Sequence, residues 1–142
     1  MRSIPSTPLL LGLLGLLPFL AAALSSVVPL PLPRVLTGPG AGIAYGIVIL
    51  CFMSGVLWGF ASNGDSRSAY GFSVLPALWV FFTTGGAPIM DIATLVSGFL
   101  GVLILDHWFV NQALAPAWWL PLRRILTVVV VLCLSVCAVA LL

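Results

Sequence analysis

Six ionisable side chains cluster near three of the chain's connections: Asp65 with Arg67, Asp106 with His107, and Arg123 with Arg124. Carboxylates, an imidazole and guanidinium groups on one membrane face would be able to pass a proton or hold a charged ligand. Asp106 opposite Arg123 would instead form an ion pair, neutralising a carboxylate at the membrane boundary and tying two helices together. Ion pairing and anchoring is the reading preferred here, because the rest of a reaction centre is missing. His107 is the single histidine, so bis-histidine haem ligation and a His-rich metal cage both require a second chain. Serines are plentiful, but one boundary histidine and no lysine make no nucleophile and base arrangement. Cys51, Cys133 and Cys137 lie within apolar runs. Cys133 and Cys137 share a helical face, yet two thiols are an incomplete soft-metal site. No catalytic residue, no metal and no enzymatic activity are expected.

The composition dictates the setting of these groups. Over 142 residues, 62% are hydrophobic and 6% charged, and the mean hydropathy is +1.28. Soluble domains carry roughly 25% charged residues, so this is an integral membrane protein. The isoelectric point near 8.7 bears on insertion topology, and nothing supports nucleic-acid binding.

Five apolar runs are long enough to read as helices of an all-α, polytopic bundle, at residues 9–28, 41–62, 69–84, 92–110 and 125–142, in one transmembrane domain covering 1–142. The first run follows Arg2, as a secretory signal would. It continues past its alanines to a length that spans ~30 Å, which favours a retained helix. Pro18 predicts a kink within it, tolerated where a neighbouring helix satisfies the freed carbonyl. Pro29, Pro31, Pro33 and Pro39 predict an extended connector over 28–40. Pro76 predicts a second kink, in the third run, with Trp79 just beyond it.

Residues 41–62 form the centre of this arrangement. Gly42 with Gly46, and Gly55 with Gly59, have the small-xxx-small spacing that admits a second helix backbone in lipid. At 100° per residue the second pair faces about 220° away from the first, so the helix should hold two neighbours. Gly98 and Gly101 are further packing positions in the fourth run. Tyr45, Trp58, Trp79, Trp108, Trp118 and Trp119 supply aromatic contacts, Trp118 and Trp119 at headgroup level. Five spans put Asp65, Arg67, Asp106, His107, Arg123 and Arg124 on one face. Arg2, Arg67, Arg123 and Arg124 then oppose Arg34 alone, which predicts the N-terminus inside and the C-terminus outside.

Residues 45–59, YGIVILCFMSGVLWG, resemble without gaps the central motif of the family called domain of unknown function 3429, the transmembrane protein 69-like family. Tyr45, Ile49, Leu50, Phe52, Gly55, Trp58 and Gly59 carry the match, which continues through GLLGLLPF (12–19), SVLPALW (73–79), Asp106 and PAWWLPLRRILT (116–127). Cys51, Ser54 and Leu57 depart from it, standing where serine, glycine, and histidine or arginine are usual. The Leu57 departure removes the motif's one polar group suited to acting on a ligand. The resemblance implies a small protein of about five spans in a bacterial inner membrane or, in a eukaryote, the mitochondrial inner membrane, and implies no particular activity.

The function expected from these features is that of a non-enzymatic accessory, assembly or stabilising subunit of a larger respiratory or photosynthetic membrane complex, with membrane lipids and other membrane subunits as partners. One alternative is a small oligomeric transporter or channel using Pro76 and the charged cluster. Another is an intramembrane quinone- or pigment-binding module using Trp58 and Trp79. No cofactor is expected; contact with lipid, quinone or pigment has no support in the sequence itself.

Overall fold

The computed structural model describes residues 3–142, and among these the chain is entirely helical. Arg2, counted above toward orientation, lies outside the described residues. The helices are α1 (Ser6–Leu14), α2 (Leu17–Val27), α3 (Gly38–Ala61), α4 (Arg67–Thr83), α5 (Pro88–Asn111) and α6 (Trp119–Val139), with a 3-10 turn at Arg34–Leu36. Four segments are long and apolar enough to cross a membrane: Ser6–Val27, which joins α1 to α2, and α3, α5 and α6. Helix α4 has 17 residues, about 26 Å at 1.5 Å per residue, slightly less than a ~30 Å hydrocarbon core.

Proline placement explains where these helices start and break. The first span breaks at Gly15 and Leu16, one turn before Pro18, whose missing N–H and bulky ring disturb the carbonyl four residues earlier. The 28–40 connector is shorter than its prolines suggest, because α3 reaches back to Gly38. Pro39 falls in its first turn, where an N–H has no helical partner to lose and φ is already helical. The same rule extends α5 back to Pro88 and α6 back to Trp119, with Pro121 in its first turn. Arg123 and Arg124 therefore belong to helix α6 rather than to a connector before it.

Helix α3 packs against α2, α4, α5 and α6. A Cβ on Gly46 would come within 2.9 Å of Leu95 Cδ1, and one on Gly98 within 2.8 Å of Leu50 Cδ1, so a larger residue at either position would push those leucines out of place where α3 meets α5. Gly42 faces Cys137, Ala22 and Leu134 at ordinary contact distance. The expectation that the second glycine pair also receives a helix is corrected within this chain. At Gly55 and Gly59, and likewise at Gly101, an added Cβ would meet nothing within 4 Å. The main core joins Phe19, Leu50, Leu95, Phe99 and Leu134; a second cluster of Leu57, Ala61, Ala69, Phe109 and Ala115 lies toward the α3–α4 connection. Leu57 is completely buried there.

Side chains of α3 reach the backbone near both prolines. Tyr45 donates its hydroxyl to Gly15 O at 3.0 Å, at the break in the first span. Ser54 Oγ accepts the Ala77 N–H at 2.9 Å, immediately after Pro76, and α4 continues as one helix through that residue. A backbone donor without a partner is costly in hydrocarbon. Replacing Ser54 with Ala, which removes the acceptor, is expected to destabilise the protein by about 1 kcal/mol, read as a lower unfolding temperature in detergent; an unchanged value would show that Ala77 needs no partner from α3.

Candidate functional site

The end of α5 and the first turns of α6 bring together the polar groups of the bundle. Asp106 closes the penultimate turn of α5 and Arg123 the second turn of α6, joined by a connection in which Ala113 adopts a left-handed φ of 56°. That reversal lays α6 back along α5. Arg123 Nε then donates to Asp106 Oδ2 at 2.8 Å, with side chains 5% and 0% exposed respectively. The pair is thus buried within the bundle. Trp119, one helical turn before Arg123, donates Nε1–H to the other carboxylate oxygen, Oδ1, at 2.7 Å. Asp106 is held by one charged and one neutral donor, which offsets much of the cost of burying it.

Aromatic rings shield this arrangement. Trp119 meets Phe60 edge-on at 5.0 Å and Trp118 at 6.1 Å, while Trp108 meets Phe72 at 5.0 Å. The indole N–H of Trp119 is thereby committed to a buried carboxylate. Two polar atoms on the same face of α6, Arg123 Nη2 and Thr127 Oγ1, are buried without a hydrogen-bond partner.

The other charged positions of the expected cluster do not join the pair. Asp65, Arg67, His107 and Arg124 are exposed, and Asp106 with Arg123 is the one ion pair among the described residues. Of the remaining aromatic positions, Trp58 stacks edge-on with Tyr70 at 4.9 Å, Tyr45 with Phe19 at 4.9 Å, and Trp79 donates Nε1–H to Thr94 O at 3.0 Å. No group of three or more His, Cys, Asp or Glu side chains suited to a metal occurs among the described residues.

Three polar residues have roles that sequence reasoning does not assign. Asp91 accepts from Gly85 N at 3.0 Å and Gly86 N at 3.2 Å, fixing the turn that enters α5; a Gly-Gly pair before a first-turn aspartate is the available signal. Ser54 is visible in the sequence only as a departure from a glycine. Thr127 has no signal beyond its one-turn spacing from Arg123.

Residues 4–139 match the family described as Protein of unknown function (DUF3429). Over 139 residues the chain is 36% identical to Transmembrane protein 69 of Xenopus tropicalis, an alignment covering 92% of this chain and 53% of that protein. The chain thus spans about half the length of that curated relative. No solved structure matches it. The chain belongs to the DUF3429 family.

Removing one member of the buried pair leaves the other's charge unpaired. Arg123→Met is expected to cost about 3–5 kcal/mol. Adding Asp106→Asn, which keeps an acceptor for Trp119, should recover most of that loss; a double-mutant cycle on unfolding in detergent measures both. Additive losses would show that the two residues do not interact.

Proposed function

We propose that this chain, as a member of that family, is a non-enzymatic accessory, assembly or stabilising subunit of a larger membrane complex, in a bacterial or mitochondrial inner membrane. The observation that carries this reading is the division of labour among the glycines. Gly46 and Gly98 are occupied by the chain's own helices, whereas Gly55 and Gly59 stand open on the outer face of α3. Helical spacing places Phe52 and Trp58, 63% and 50% exposed, beside them. Aromatic ridges around two glycines four residues apart form a seat for another transmembrane helix, the close-packing geometry lipid-embedded helices use.

A second concavity, of about 740 Å³ between α4 and α5, repeats the theme, with the open Gly101 beside Leu75, Pro76, Leu78 and Trp79. Connections of four to ten residues leave little surface outside the helices, so contacts with other subunits would be made mainly by helices. The arginine distribution supports an orientation with the N-terminus inside and the C-terminus outside, Arg34 being the sole arginine on the opposite face.

The experiment is isolation of tagged protein from its native membrane in mild detergent. A membrane subunit should co-purify, and Gly55→Leu or Gly59→Leu should abolish its recovery while shifting the isolated chain's stability by no more than about 0.5 kcal/mol. Gly46→Leu, by contrast, should destabilise the chain itself. Recovery of the wild-type chain without any partner subunit would overturn the proposal.

A further inference from the structure

A cavity of about 430 Å³ lies between the N-terminal half of the first span, the C-terminal half of α3 and the N-terminal half of α6. The break at Gly15 and Leu16 makes room for it. Beyond that break no residue of α1 is buried, and α1 meets the bundle chiefly along α6. The walls are hydrocarbon and aromatic, with Phe19, Met53 and Phe99 on the core side. Leu11 and Phe52 line it from opposite helices and are each 63% exposed, so the cavity is reached from the lipid side, between α1 and α3.

Arg123 is the one charged residue in this wall. Its Nε is committed to Asp106, and Trp119, also in the wall, has committed its indole N–H to the same carboxylate. Arg123 Nη2 is left as a buried donor with no acceptor, a condition that costs as much as a lost hydrogen bond and more for a charged group. The charge of the guanidinium is already balanced by Asp106. An anionic ligand would therefore bring an uncompensated negative charge into a dry site. A neutral carbonyl oxygen would satisfy Nη2 without disturbing that balance. The volume falls within the range of small-molecule sites, roughly 300–1,000 Å³.

We propose that this cavity binds a neutral, apolar-chain molecule through a carbonyl oxygen that accepts from Arg123, the chain lying against Phe19, Met53 and Phe99 and entering past Leu11 and Phe52. The carbonyl belongs either to a quinone ring or to the ester of an uncharged acyl lipid. This site shares Phe52 with the outward glycine face of α3, but its walls and its donor all come from this chain, so binding needs no partner subunit.

Native mass spectrometry of the full chain, titrated with a decyl-substituted benzoquinone, a diacylglycerol and a phosphatidylglycerol in turn, tests it. One equivalent of a neutral probe should bind saturably and in preference to phosphatidylglycerol; which neutral probe binds identifies the source of the carbonyl. The double substitution Asp106→Asn with Arg123→Met keeps the site uncharged but removes the donor, and should weaken binding about tenfold or more. Leu11→Trp, at an exposed position, fills the entrance and should weaken binding comparably, which decides the matter if the double variant does not fold. Absence of saturable binding by either neutral probe, preference for phosphatidylglycerol, or unchanged affinity in the folded variants would overturn the proposal.

Discussion

A helix in hydrocarbon must find a partner for every backbone donor and acceptor within the protein, and this chain strains that rule locally with two prolines placed beyond the first turn of an apolar helical run. Pro18 interrupts the first span and Pro76 lies within α4. Near both, the backbone is reached by side chains of the same helix. Tyr45 reaches one way to Gly15 O and Ser54 the other way to Ala77 N. Helix α3 is central not only because glycines let α5 approach it, but because its side chains complete the backbones of the helices on either side. Its position is thereby specified by directional bonds as well as by packing, and lipid provides no substitute for them.

The polar end of the bundle follows the same logic with charge in place of backbone. Asp106 and Arg123 are buried because α5 and α6 turn back on each other, and each is tolerable only in the presence of the other. Trp119 fills the second carboxylate oxygen, Arg123 Nη2 is left unmatched, and Arg123 is part of the cavity wall where the first span stands away from α3. The break in the first span, at Gly15 and Leu16, and the arginine that anchors α6 thus border one cavity. A structural compromise in one helix and an incomplete bond in another occupy the same place.

The helical, membrane-embedded fold was legible because lipid imposes it: long uncharged runs have few other options. The Asp106 and Arg123 pair was legible because these opposite charges flank the one short connection between the last two apolar runs. Its depth was not, since proline in a first turn moved the start of α6 back to Trp119 and carried Arg123 into a helix. Glycine spacing identified close-approach faces without telling which were already occupied; Gly46 is filled by Leu95 whereas Gly55 and Gly59 are open, a difference that depends on the crossing of helices distant in sequence. Ser54 illustrates the same limit. As a departure from glycine it looked incidental, and only its position across from Pro76 reveals the bond it makes.

The claim that α3 completes its neighbours' backbones is tested most directly at one amide. Hydrogen exchange at Ala77 N–H, measured by nuclear magnetic resonance on the detergent-solubilised protein, should be strongly protected in the wild type. It should become markedly faster in the Ser54→Ala variant, while Val80 N–H, one turn further along α4, stays protected. Equal exchange at Ala77 in the two proteins would contradict the account, showing that α4 satisfies its own backbone at Pro76 and that α3 holds it by packing alone.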